Sequence, residues 1–175
     1  MPDVRLVAGD TMNYWIKDHR DALLLVLKGL DILLINDTEA KMLAGNNNLL
    51  QAARAVLALG PETLVIKHGE YGATLFHGSA PQSKGAELRA PGLPLEVVVD
   101  PTGAGDSFAG GFFGYLASSA AADELTAAAY RRAMFYGSVM GSFACERFGT
   151  ERLQSLTRKE IDDRFILFRE LTHLD

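Results

Sequence analysis

One cysteine in 175 residues, Cys145, excludes an internal disulfide framework and suits a reducing compartment. It stands among Gly141, Ser142 and Ala144 on a helical stretch, which predicts a buried, inert thiol. Basic clusters are also missing. With a net charge of −5 and no dense run of Lys or Arg, the chain has nothing to track a phosphodiester backbone, so nucleic acid is not expected as a partner. The opening MPDVRLVAGD has neither a basic nor an apolar leader region. The longest weakly hydrophobic run, 107–122, falls short of the ~20 residues that a bilayer requires, so no membrane contact is expected and the cytoplasm is the expected location. That run holds small residues four apart (Gly110 and Gly114), as does Gly137 with Gly141, a pattern that predicts close helix packing. The remaining histidines, His19, His77 and His173, lack metal-ligand spacing and are expected at the solvated surface. Repeats and low-complexity tracts are absent.

What is present reads as an ordinary globular composition, 48% apolar and 22% charged, and as one domain over 1–175. Short β-rich runs alternate with helical patterns, which points to an α/β layer fold. Strands are expected at 4–8, ending at Asp10, at 32–35, ending at Asn36, and at 63–67. Helices are expected at 22–30, at 38–43 with Gly45 as the stop, and from the N-cap Asn48 to Leu59. After a turn at 67–72, residues 73–77 pair back as a hairpin strand, and 78–85 form a polar loop. Further short strands are expected at 88–90 and 97–99. The chain is then helical over 106–118, 123–144 and 157–171, the last opened by a Thr157/Glu160 capping box.

Asp100-Pro101-Thr102-Gly103-Ala104-Gly105-Asp106 carries the most chemistry. An apolar run enters a glycine-rich turn that passes directly into a helix. Backbone N–H groups at such a helix start point outward unpaired, and Gly103 and Gly105 remove side chains that would hold an anion away. The result is a cradle for a phosphoryl group and for the charge that develops during its transfer. Asp106 stands at the lip, where a carboxylate can take the proton of an attacking hydroxyl; taken alone it could equally be a first-turn helix acid. Other glycine-loop chemistries fail on spacing. A Walker A loop needs a Gly-Lys pair that is absent, and a dinucleotide fingerprint needs Gly or Ala where Phe108 stands, which disfavours an NAD-dependent oxidoreductase.

The run DPTGAGDSFAGGF resembles the C-terminal signature of the ribokinase, or PfkB, carbohydrate kinases. Further family motifs follow in order. Asn36-Asp37-Thr38-Glu39 is similar to the family's N-x-x-E motif, which implies that Asn36 and Glu39 hold magnesium through water. Lys67-His68-Gly69-Glu70-Tyr71-Gly72 resembles the loop that borders the ATP ribose and phosphates; Lys67 is left open between a phosphate contact and a solvated strand-end lysine. Asp10-Thr11-Met12-Asn13 is similar to another segment near the phosphates. Gly137 and Gly141 resemble the adenine-pocket wall, with close helix packing as the alternative, and 144–149 together with Asp100 and Thr102 resembles a potassium site.

The resemblance implies a ribokinase-like α/β fold, a mostly parallel sheet flanked by helices on both faces. It also implies ATP-dependent phosphoryl transfer to a hydroxyl of a sugar or sugar-like molecule, with Asp106 as base and Gly103, Ala104 and Gly105 cradling the phosphoryl group. A non-catalytic nucleotide-binding remnant or interaction domain is the other reading. The family's first signature, sugar-binding residues and β-sheet lid have no counterpart in these 175 residues. The expectation is therefore an incomplete fold without the lid, with an exposed sheet edge covered by self-association or by a partner chain.

Overall fold

The computed structural model describes residues 6–78, 87–118 and 125–172. The chain gathers into two compact units, one of residues 1–69 and 74–88 and the other of residues 70–73 and 89–175.

The first unit is built on short parallel strands. β1 (Ala8–Asp10) pairs with β2 (Ile32–Asn36), and β2 with β3 (Thr63–Lys67), both in parallel. The five residues between β3 and β4 (Ala73–His77) are too few for a crossover, so β4 turns back as a hairpin strand and the sheet is mixed. With β5 (Glu87–Ala90) the strand order is β1-β2-β3-β4-β5. β2 and β3 are almost continuously apolar because both faces are buried: Ile32, Leu33, Leu34, Ile35, Leu64, Val65 and Ile66 expose nothing.

Four helices accompany these strands: α1 (Asn13–Asp18), α2 (Arg20–Leu27), α3 (Asp37–Ala44) and α4 (Leu49–Leu57). Leu33, Ile35, Leu64 and Ile66 form one core with Ile16, Leu27, Leu43 and Val56 from these helices. α4 starts where expected, with Asn48 Oδ1 accepting the Gln51 N–H at 3.0 Å.

The second unit is helical: α5 (Ala104–Leu116), α6 (Ala127–Ala144), α7 (Glu151–Gln154) and α8 (Arg158–Thr172). α5 buries Phe108, Phe112 and Leu116 at four-residue spacing against α6. A second cluster joins Val139 and Phe143 of α6 to Phe168 of α8. The expected capping box opens α8, with Glu160 Oε2 accepting from Thr157 N at 2.9 Å and Glu160 N donating to Thr157 Oγ1 at 3.3 Å.

Several expectations are corrected. Residues 97–99 are not a strand: Val97, Val98 and Val99 are exposed, and β-branched residues do not form a strand without a neighbouring strand to pair with. Gly110 and Gly114 face open space, while Gly111 packs against the Tyr136 backbone. Gly137 and Gly141 do pack closely, against the Phe108 ring and the Ala104 carbonyl. His77 is half-buried rather than solvated and shares a 2.9 Å hydrogen bond with Thr63 Oγ1. Cys145 is half-buried; burial, with the Asp100 and Glu146 charges, pushes its thiol up, which keeps it protonated. Residues 1–5, most of the 78–85 loop, the start of the helix expected from 123, and His173 lie outside the described residues.

Candidate active site

Parallel strands end on the same side of a sheet, so the register of β1, β2 and β3 decides which side chains meet there. Asp10 lies level with Leu34, and Asn36 level with Lys67. Lys67 Nζ donates to Asp10 Oδ2 at 2.8 Å, an ion pair across 57 positions of sequence. Lys67 is thus half-buried and paired, not a strand-end lysine loose in solvent.

Asn36 and Glu39 form a reciprocal cap on α3. Asn36 Oδ1 accepts the Glu39 N–H, and Glu39 Oε2 accepts the Asn36 N–H, each at 2.8 Å. Glu39 is only 7% exposed. Burial pushes its carboxyl above the ordinary 4.5 and the Asp10 charge adds to this, against the Asn36 hydrogen bonds and Lys67, which pull it down. Beside Asp10, Thr11 Oγ1 is buried without a hydrogen-bond partner among the described residues. Such an orphan costs about 1–3 kcal/mol unless water or ligand satisfies it.

These groups suit a hard, hydrated cation, which binds oxygen and keeps most of its own waters. A cage of protein ligands is not what they offer: no group of three or more His, Cys, Asp or Glu able to hold a metal occurs among the described residues. A magnesium ion here would be held by Glu39 and Asn36 through water.

In the loop after β3, His68 Nε2 and Thr74 Oγ1 lie 3.0 Å apart in a hydrogen bond, so His68 ties the turn to β4. Gly69 and Glu70 are exposed, and Tyr71 is 77% exposed. Gly72 is buried with φ +92°, and a Cβ there would collide with the Ala90 carbonyl and with Pro91. Its lack of a side chain is required by that backbone as well as by its conformation.

In the second unit, Gly103 caps α5 in the left-handed region, with φ 80° and ψ 0°. Ala104 N donates to Pro101 O at 3.1 Å, and Ser107 N to Gly103 O at 2.9 Å. Between them the N–H groups of Gly105 and Asp106 have no backbone acceptor among the described residues, and no side chain caps this end. Asp106 is exposed, and among the described residues its carboxylate makes no hydrogen bond or ion pair. The helix start is therefore an open anion cradle with a free carboxylate beside it.

The approach to this cradle is fixed. Asp100 Oδ1 accepts the Thr102 N–H at 2.9 Å. Hydrogen bonds from Thr102, backbone then side chain, and from the Gly149 backbone hold the Asp100 carboxyl below its ordinary value. Val99 N and Asp100 N both donate to Cys145 O, at 2.8 and 3.4 Å. The 99–102 loop and the 145–149 turn, expected together around potassium, are thus adjacent. Behind the turn, Arg164 donates to Ser142 Oγ at 3.0 Å and pairs with Glu146, while its guanidinium lies 3.4 Å from the Phe143 ring centre. Gly137 is buried beneath the Phe108 ring.

A cytidine kinase from Thermococcus kodakarensis is 38% identical over 95 residues, which are 53% of this chain and 32% of that protein. An aminoimidazole riboside kinase from Salmonella enterica, solved with aminoimidazole riboside and an ATP analogue, superimposes with a TM-score of 0.71 at 22% identity, covering 93% of this chain and 52% of that one. A candidate ribokinase II from E. coli, solved with ATP and magnesium, gives 0.69 at 27% identity, covering 93% and 48%. The chain therefore spans about half the length of these solved kinases and about a third of the cytidine kinase. The fold is ribokinase-like. The model of the pfkB family carbohydrate kinases matches residues 7–156, and the chain belongs to that family.

Proposed function

We propose that this chain carries the nucleotide-binding and phosphoryl-transfer residues of an ATP-dependent kinase whose acceptor is a hydroxyl of a sugar or nucleoside. The start of α5 carries this reading: within four residues, 103–106, it has a left-handed glycine, two backbone N–H groups with no backbone acceptor among the described residues, and a carboxylate with no partner among them. Asp106 removes the acceptor hydroxyl proton as the new O–P bond forms and the bond to the departing ADP oxygen breaks. The Gly105 and Asp106 N–H groups stabilise negative charge on the phosphoryl oxygens. Glu39 and Asn36 would hold magnesium through its water shell, and the ion would supply positive charge to the nucleotide phosphates. Lys67 holds Asp10 in place and sets the balance of charge around Glu39. Asp100, Thr102 and the 145–149 turn brace the cradle, with potassium as a candidate ligand of that bracing.

The test is ADP release over a panel of sugars and nucleosides, with nucleotide affinity measured in parallel. Asp106→Asn should leave ATP affinity nearly unchanged and lower kcat by at least ~100-fold, the scale of losing a general base. Undiminished turnover would remove Asp106 from the mechanism. The alternative reading is a nucleotide-binding remnant or interaction domain without catalysis. ATP binding without transfer to any acceptor would decide for it.

A further inference from the structure

Outside the candidate active site, α5, α6 and α8 line a cavity of about 250 Å³ in the second unit. Tyr115, Tyr136 and Phe165 stand there as a column of near-parallel rings. The two tyrosines are 5.1 Å apart with 15° between planes, and Tyr136 and Phe165 are 4.4 Å apart with 16°. All three are half-buried, so the column is not sealed into the core. Arg131, Arg132 and Arg169 line the same cavity and are exposed.

The arginines separate this cavity from ordinary helix packing. Arg152, Arg158 and Arg164 of the same unit each hold a carboxylate. The guanidinium groups of Arg131, Arg132 and Arg169 make no ion pair or hydrogen bond among the described residues, in a chain whose net charge is −5. Three guanidinium groups at one cavity, with no carboxylate partner among the described residues, repel one another and suit an anion, and guanidinium forks match phosphate oxygens two at a time. Parallel aromatic rings suit a further planar ring. A ligand that satisfies both is a planar ring carrying a phosphate, and the volume is near the small end of ligand pockets.

We propose that this cavity binds a nucleoside monophosphate, its base against the Tyr115–Tyr136–Phe165 column and its phosphate on Arg131, Arg132 and Arg169. The site is separate from the α5 start and does not depend on the kinase reading.

The experiment titrates the 175-residue chain with AMP, CMP, adenosine and inorganic phosphate, by calorimetry and by backbone amide NMR. AMP or CMP should bind more tightly than adenosine or phosphate alone and should shift amides near residues 115, 131–136 and 165–169. Arg132→Ser and Arg169→Ser replace exposed side chains, so the fold should survive. Each should weaken monophosphate binding by ~10-fold, the value of a charge-assisted hydrogen bond. Tyr136→Leu should weaken AMP and adenosine together. Shifts confined to 10–11, 36–39, 67 and 103–106 would place the ligand at the kinase site and overturn the proposal. Phosphate binding as well as AMP would reduce the cavity to a charge patch, and an affinity unchanged in the double arginine variant would exclude it as a site.

Discussion

Replacing Glu39 separates its two duties, as helix cap and as carboxylate. Glu39→Ala removes the acceptor of the Asn36 N–H and strips one side of the box. Loss of a capping interaction costs about 0.5–2 kcal/mol. In a chain of this length that is a fall in Tm of roughly 1–8 °C. Glu39→Gln keeps an oxygen for the same hydrogen bond and deletes only the charge. Because burial and Asp10 disfavour the ionised form, Glu39→Gln should be as stable as the wild type at pH 7, or more so. The sign follows from linkage. A carboxyl raised in the folded state contributes stability that is present below the unfolded value of 4.5 and lost as pH rises through the folded value. The stability of wild type minus Glu39→Gln should therefore decline as pH rises through that window and be flat above it. Urea unfolding at several pH values reads this directly. Magnesium-ATP at ~100 times its Kd should stabilise the wild type by about 2.7 kcal/mol, and Glu39→Gln by clearly less at the same concentrations. If Glu39→Gln falls as far as Glu39→Ala at pH 7 and the difference does not vary with pH, the charge is favourable to the fold and the reasoning fails.

Two of the positive-φ glycines, Gly103 and Gly72, should respond unequally to alanine. Gly103→Ala meets no neighbour within 4 Å and should cost only the ~1–2 kcal/mol of the left-handed backbone, whereas Gly72→Ala must also displace the Ala90 backbone and should cost more than ~3 kcal/mol. Equal urea midpoints would refute this. Arg164→Met, which loses Ser142, Glu146 and the face of Phe143, should cost about 1–3 kcal/mol, toward the lower end because the ion pair is part-exposed. Burial alone would raise the Glu146 carboxyl, but hydrogen bonds from Arg152 and Arg164 outweigh it and hold it below 4.5, so this stability is present above 4.5 and lost as pH falls. Acid unfolding of Arg164→Met should begin at higher pH than in the wild type; an unmoved acid transition would show that Glu146 is held by Arg152 alone.

Local signals in the sequence were reliable wherever they named both a start and a stop. Thr63–Lys67 and Ala73–His77 lie where apolar runs bounded by turn residues put them, and Asn48 and Thr157 begin helices as capping residues should, whereas Asn36, read as a strand end, turns out to cap α3 as well. α1 was missed because Met12 offers no side-chain cap and the helix ends at His19 without a stop residue. Val97–Val99 had strand chemistry but no partner strand, and pairing is a tertiary fact. In the site, the glycine-rich turn and Asp106 were legible because the chemistry is local to seven residues. The Asp10–Lys67 pair was not, since it depends on the register of parallel strands separated by whole helices. The arginine cavity left only the weak trace of Arg131-Arg132 one turn before Phe135-Tyr136; Tyr115, Phe165 and Arg169 join it through packing alone.

The four-residue excursion 70–73 has a practical consequence for anyone dividing this protein. The chain passes between its two units at 69/70, 73/74 and 88/89, so neither unit is one continuous stretch. A single cut near residue 88 would yield two fragments, and the first would carry away Glu70 and Gly72, whose neighbours are Ala90, Pro91 and Gly92 in the second. Expression of either fragment alone should leave a seam that was interior in the parent, whereas co-expression should let the fragments complement each other.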